Sequence, residues 1–373
     1  MTAAGAPLHP LAVAGRLARL RGRLDDAGVD ALLVTSLVNV RWLTGFTGSA
    51  GVLVVGADRA LLATDGRYRT QSAEQLVEAG LADAVEVAVG GLEAQASAIA
   101  AAVPEGRRLG FEATHLTWGA HEQWASRLAE ATLVPTRGVV EVLRVTKDAG
   151  ELARMERAAA IADAALADVL PALTERGMTE RTFAAELDHA MRVRGADERA
   201  FETIVAAGER SAMPHARPGD EPIRRGDAVV VDFGAVYDGY RSDMTRTFCV
   251  GGEPEGVLAA VFALVGEAQA AGVAAVVPGA TAGEVDATCR DRIAAAGYGE
   301  RFEHGTGHGV GLDIHEAPSV APGSAAILTP GTVVTVEPGV YLAGVGGVRV
   351  EDTLVVTDTG ARALTRFPKS VPV

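Results

Sequence analysis

The sequence predicts an α+β protein of two domains, a smaller α/β domain over residues 1–143 followed by a larger domain over residues 144–373. Three observations carry that expectation. A chain of 373 residues exceeds what one hydrophobic core ordinarily serves. Helical and strand-like stretches alternate as far as Leu143, as in a small α/β domain. Beyond that point the order becomes helix, helix, hairpin, and it occurs twice, which points to an internal duplication.

In the amino-terminal half, Arg16 to Asp26 has the spacing of an amphipathic helix, which stops near Gly28 and feeds the apolar run Ala31 to Thr35. Strand-like runs follow at Gly51 to Val55 and Ala60 to Ala63, with helical stretches at Tyr68 to Ala79 and Leu92 to Ala102. His115 and His121 sit among helix-forming residues and are read as surface or structural. The segment Arg144 to Glu156, RVTKDAGELARME, turns polar and offers Asp148 as an N-cap with Glu151 three residues on. The domain boundary is placed there. Helices are then expected at Glu151 to Leu173 and Arg181 to Arg194, and strands at Ala228 to Asp232 and Arg241 to Val250. A second helix pair precedes strands at Val333 to Glu337 and Val348 to Val355.

Composition narrows the function. An apolar share of 48% with 22% charged residues describes a globular rather than a disordered chain. The formal net charge of -14 repels phosphate backbones, so no nucleic-acid partner is expected. Two cysteines, Cys249 and Cys289, make no disulfide framework and are read as buried free thiols. The opening MTAAGAPLHPLAVAGRLARL lacks the basic start and apolar run of a signal peptide, and no stretch reads as long enough to span a membrane. A cytoplasmic protein with no membrane partner is the expectation.

Two hairpins carry the chemistry. In AVVVDFGAVYDGYRSDMTRTFCV, Asp238-Gly239 is a strong turn signal. Counting outward from it, Tyr237 faces Tyr240 and Asp243 faces Gly234, with Asp232 two residues beyond Gly234 on the same face. The two aspartates are then diagonal neighbours, close enough for their carboxylates to meet around a cation. In VVTVEPGVYLAGVGGVRVEDTLVV, Glu337 and Glu351 flank the glycine-rich turn Gly344 to Gly347, and Arg349 shares a face with Glu351. Carboxylates embedded in apolar strands are costly unless a metal or cation compensates them. Between the hairpins lies HGTGHGVGLDIHE, with His304, His308 and His315 spaced by glycines. Four carboxylates and one imidazole suit hard divalent ions better than a thiolate-seeking zinc site, and their charge favours two ions over one.

These residues resemble the pita-bread metallopeptidase family (M24), specifically its Xaa-Pro peptidases, prolidase and aminopeptidase P. The resemblance rests on FETIVAAGERSAMPHARP, VDFGAVYDGYRSDMTRTF, HGTGHGVGLDIHEAP, VVTVEPGVY and GGVRVEDT, and in the amino half on NVRWLTGFTGSAG and TDGRYRTQ. It implies a carboxy-terminal pita-bread (creatinase/aminopeptidase) catalytic domain behind a creatinase/prolidase-type amino-terminal domain. It further implies a cofactor of two divalent metal ions, manganese first, with cobalt, zinc or iron as alternatives. Asp243 and Glu351 would bridge both ions, Asp232 would complete one, and His308 with Glu337 the other. The catalytic set implied is His215 and His315 on the substrate side, Glu337 as proton acceptor or shuttle, and Arg349 beside the cluster. The implied activity is cleavage of short peptides with proline second by a homodimer. Dipeptidase action is favoured over an aminopeptidase acting on longer peptides, and a non-catalytic binding protein is the remote alternative. Burying the free carboxylate of a dipeptide calls for a cation, for which Arg349 and Arg217 stand as candidates.

Overall fold

The computed structural model describes residues 8–103, 106–369 and 373. The first seven residues, on which part of the signal-peptide expectation rests, lie outside the described residues. The chain groups into two compact units, one of Pro10–Arg144 and one of Val145–Val373 that also takes in His9.

The first unit is built on a six-stranded sheet in the order Glu86–Val89, Ala60–Thr64, Val52–Gly56, Ala31–Val34, Arg108–Glu112, Thr132–Thr136. Ala31–Val34 is central, apolar and buried at every position, as a strand covered on both faces must be. It pairs antiparallel to Val52–Gly56 and parallel to Arg108–Glu112. Glu112 is the polar anchor at its end. One carboxylate oxygen accepts from the backbone N–H groups of Thr35 and Ser36 at 2.7 and 2.8 Å, and the other accepts from Asn39 Nδ2 at 2.6 Å. His121 lies on the helix Trp118–Arg127, its ring stacked 5.3 Å from that of Trp118, while His115 lies in the turn before that helix.

The second unit repeats one arrangement. In its first half the helices Ala149–Val169 and Glu180–Val193 pack on a three-stranded sheet of Met244–Cys249, Ala228–Phe233 and Ile204–Ala207. In its second half the helices Gly256–Ala275 and Ala282–Ala295 pack on a five-stranded sheet centred on Val333–Val336. In both halves a threonine caps the second helix, Thr179 accepting from the Thr182 N–H and Thr281 from the Glu284 N–H. Each cap also forms an isolated bridge, to Pro222 and to Ile327. The capping box at Asp148 and Glu151 is formed and opens Ala149–Val169; such caps are worth about 1 kcal/mol.

Three expectations are corrected. The helix Gly256–Ala275 is long and apolar enough by length and composition to cross a membrane. It buries Val261, Val265, Ala268, Gln269 and Gly272, one stripe at helical spacing, in the core shared with Ala282–Ala295. Its exposed face carries Val257, Ala260, Ala263, Ala270 and Ala274 with Glu267 as its one charge, which is why the run reads as apolar. Cys249 is half-buried, not buried as expected. Cys289 is buried, its thiol pushed up to about 12 by desolvation and donating to the Ala268 carbonyl at 3.3 Å.

The third correction concerns the two long strands. Arg241 to Val250 is divided into Tyr240–Arg241 and Met244–Cys249, and Val348 to Val355 into Gly346–Arg349 and Asp352–Val356. The interruptions fall at Ser242–Asp243 and Val350–Glu351, so an acidic residue stands at each break. The register nevertheless runs straight through. Tyr237 pairs with Tyr240 and Phe233 with Met244, which sets Gly234 opposite Asp243. Val336 pairs with Asp352 and Gly339 with Arg349, which sets Glu337 opposite Glu351.

Candidate active site

The site lies wholly in the second unit and lines a cavity of about 630 Å³. Asp232 is the last but one residue of the strand Ala228–Phe233, Asp243 and Glu351 occupy the two strand breaks, Glu337 follows Val333–Val336, and His308 sits within Gly307–Gly309. Two glycines permit the approach. A side chain at Gly234 would meet the Ser242 carbonyl oxygen at 1.9 Å, and one at Gly307 would meet that of Thr335 at 2.1 Å.

The acidic side chains converge. Ligand atoms of Asp243, His308 and Glu351 lie within 4.8 Å of one another. His308 Nε2 is 3.5 Å from Asp243 Oδ2 and 3.4 Å from Glu337 Oε1. His308 Nδ1 lies 3.0 Å from the Gly309 carbonyl, so Nδ1 carries the proton and Nε2 offers its lone pair to the cluster. Burial lowers the pKa of His308, which keeps the ring neutral. Two threonines hold the acids from behind: Thr245 Oγ1 donates to Glu351 Oε2 at 2.7 Å, and Thr335 Oγ1 donates to Glu337 Oε1 at 3.1 Å.

Arg349 is 2% exposed and donates to Asp232 Oδ2 at 2.6 Å, Tyr341 Oη at 2.9 Å and Thr245 Oγ1 at 3.1 Å. Tyr341 Oη is also 2.9 Å from His304 Nε2, and His304 Nδ1 is 2.7 Å from the Gly305 carbonyl. Because Arg349 only donates, the tyrosine hydroxyl accepts from it and passes its own proton toward His304 Nε2. Desolvation pushes the pKa of His304 down to about 4, consistent with that neutral acceptor. His315 is exposed, its ring edge-on to that of His308 at 4.4 Å, and His215 is exposed on the same cavity.

Four carboxylates therefore lie near the one buried guanidinium of the cavity wall, that of Arg349, which is bonded to Asp232. Asp232 Oδ1 and Glu351 Oε1 are buried without a hydrogen-bond partner, a costly condition for an acceptor. The donor set and these two orphaned oxygens fit hard divalent cations. Of the residues expected at the cluster, Asp243, His308 and Glu351 converge, Glu337 reaches His308, and Asp232 lines the same cavity and is bonded to Arg349, while His215 and His315 line the cavity with exposed side chains. The sequence reading passed over Thr245, Thr335 and Tyr341. The threonines were findable, since each lies two residues from an acid and so shares its face of the strand.

Burial first, then neighbouring carboxylates, raises Asp243 and Glu351 well above the ordinary carboxylate range, and burial raises Glu337 from 4.5 to about 7. Between 4.5 and 7 the folded chain thus binds more protons at Glu337 than the unfolded chain does. Stability of chelator-treated protein should fall as pH rises through that interval. A divalent cation takes the protons' place and should flatten the slope. Thermal unfolding across the interval with and without manganese checks this; identical slopes would show that these carboxylates hold no cation.

Comparison with known proteins agrees with the fold. Residues 153–358 match the model of metallopeptidase family M24, and residues 16–146 match the creatinase/prolidase N-terminal domain. The chain belongs to metallopeptidase family M24, with the two-domain pita-bread fold, and is a metallopeptidase. It is 36% identical over 350 residues to the Xaa-Pro dipeptidase of Pyrococcus horikoshii, covering 93% of this chain and 96% of that one. The structure of an Xaa-Pro dipeptidase from Bacillus anthracis superposes with a TM-score of 0.91 at 41% identity, covering 96% of this chain and 99% of the other. That of an X-Pro aminopeptidase from Thermotoga maritima gives 0.84 at 32% identity, covering 95% and 99%.

Proposed function

We propose that the protein hydrolyses the peptide bond preceding proline in Xaa-Pro dipeptides with the help of two divalent cations. The observation that carries this reading is the convergence of Asp243, His308 and Glu351, with Asp232 and Glu337 on the same cavity, where Asp232 Oδ1 and Glu351 Oε1 have no hydrogen-bond partner among the described residues. Asp243 and Glu351 would contact both ions, Asp232 one, and His308 with Glu337 the other. Manganese is the first candidate. Such a pair of ions polarises the scissile carbonyl and makes a water nucleophilic near neutral pH.

The chain's own side chains divide the remaining work. Glu337, raised to about 7 and open to the cavity, accepts or returns a proton near the reacting bond. His215 and His315, on the solvent side of the cluster, steady the oxyanion or the departing proline nitrogen. Arg349 orients Asp232 through the 2.6 Å contact. We take residues 1–143 as an accessory domain and 144–373 as the catalytic one. A cytoplasmic homodimer, with no nucleic-acid or membrane partner, completes the reading.

The dipeptide preference draws support from the relatives called Xaa-Pro dipeptidases. The aminopeptidase alternative has its own support in the close superposition on the Thermotoga maritima structure. A substrate series of Ala-Pro, Ala-Pro-Ala and a longer Xaa-Pro peptide, assayed with added manganese, separates them. Ala-Pro is expected to have the highest kcat/KM. Higher efficiency on the longer peptides would remove the dipeptidase assignment and leave Xaa-Pro cleavage standing.

A further inference from the structure

We propose that Arg217 is the specificity-determining residue that pairs with the free carboxylate of a dipeptide substrate, an inference that rests on the Xaa-Pro reading. Two arginines line the cavity, Arg217 and Arg349. Arg349 is not available. All three of its nitrogens are engaged: Nε with Thr245 Oγ1, Nη1 with Tyr341 Oη and the Pro214 carbonyl, and Nη2 with Asp232. Turning toward a substrate would strip a second oxygen of Asp232 of its partner, when its first already has none.

Arg217 has the opposite character. Its side chain is 86% exposed and its ion-pair partner is Glu202, with Nε 3.4 Å from Oε2 and the Glu202 side chain 64% exposed. Such a surface pair contributes about 0–1 kcal/mol, so a substrate carboxylate can displace Glu202 at little cost. The backbone beneath it is held firmly. The Arg217 carbonyl accepts from Arg210 Nη2 at 2.7 Å, the Gly219 N–H donates to Glu180 Oε2 at 2.8 Å, and the Pro214 carbonyl accepts from Arg349. Glu180 itself is fully buried. The arm is fixed at its base and its guanidinium is open to the cavity, two residues from His215. The rest of the wall is rich in carboxylates, so a negatively charged end group has one cationic side chain there with donors to spare.

The test compares Ala-Pro with its carboxy-terminal amide, which keeps the scissile bond and removes the charge, using manganese-loaded protein. For R217Q, KM for Ala-Pro should rise about ten-fold, the scale of a charge-assisted hydrogen bond, with kcat little changed. The amide should respond less than two-fold, which also reports that the variant is folded. E202Q, which frees Arg217, should lower KM for Ala-Pro and not for the amide, and R217K should recover most of the loss. Equal effects of R217Q on both substrates, or none on either, would overturn the assignment of Arg217 alone. Wild-type protein that cleaves neither substrate would overturn the Xaa-Pro reading, and this assignment with it.

Discussion

Asp243→Asn is expected to lose metal and activity together. The amide keeps the shape of the carboxylate but removes one of four negative charges from a cluster where ligand atoms of Asp243, His308 and Glu351 lie within 4.8 Å. Asp243 stands at a strand break, opposite Gly234, and is 4% exposed, so no other side chain can take its position without rebuilding the hairpin. On the proposed assignment Asp243 would contact both ions, and losing several kcal/mol of charge stabilisation should lower kcat by about 10³-fold. Metal content by elemental analysis and turnover of Ala-Pro, measured on the same preparation, check this. A variant that retains two ions per chain and normal turnover would remove Asp243 from the bridging position.

His215→Ala is expected to separate the two quantities. His215 lines the cavity with an exposed side chain, whereas Asp232, Asp243 and Glu351 are buried. The backbone around it is anchored independently through the Pro214 and Arg217 carbonyls, so truncating the ring leaves the wall in place. Metal content should therefore stay at the wild-type level while kcat falls about 10²-fold, the usual loss for one oxyanion-stabilising donor. Metal lost in proportion to activity would put His215 among the ligands instead.

Much of this site was legible in the sequence because hairpin register is arithmetic. The dipeptide Asp238-Gly239 forms the turn, with φ values of 45° and 75°, and the count outward from it places Asp243 opposite Gly234 as expected. The strand breaks at Asp243 and Glu351 were not legible. Alternation in sequence says which face a residue occupies, but it is silent on where a ladder opens to let a peptide turn toward a cluster. The chain from His304 through Tyr341 and Arg349 to Asp232 was equally hidden, because it joins residues from three separate segments. In the first unit the strands Glu86–Val89, Arg108–Glu112 and Thr132–Thr136 escaped the reading; the two outer ones are only partly buried and so lack a clear apolar run, while Arg108–Glu112 carries charge at both ends. The choice between Arg217 and Arg349 also needed coordinates, since only hydrogen-bond geometry shows which guanidinium is already committed.

The central claim is that the buried acidic cluster works by holding two divalent cations for cleavage before proline. The most direct measurement strips the protein with chelator, titrates manganese back, and follows Ala-Pro hydrolysis against bound metal per chain. Activity should be absent in the stripped protein and should return in full as occupancy approaches two. Full activity in the stripped protein, or no Ala-Pro cleavage at any occupancy, would contradict the account.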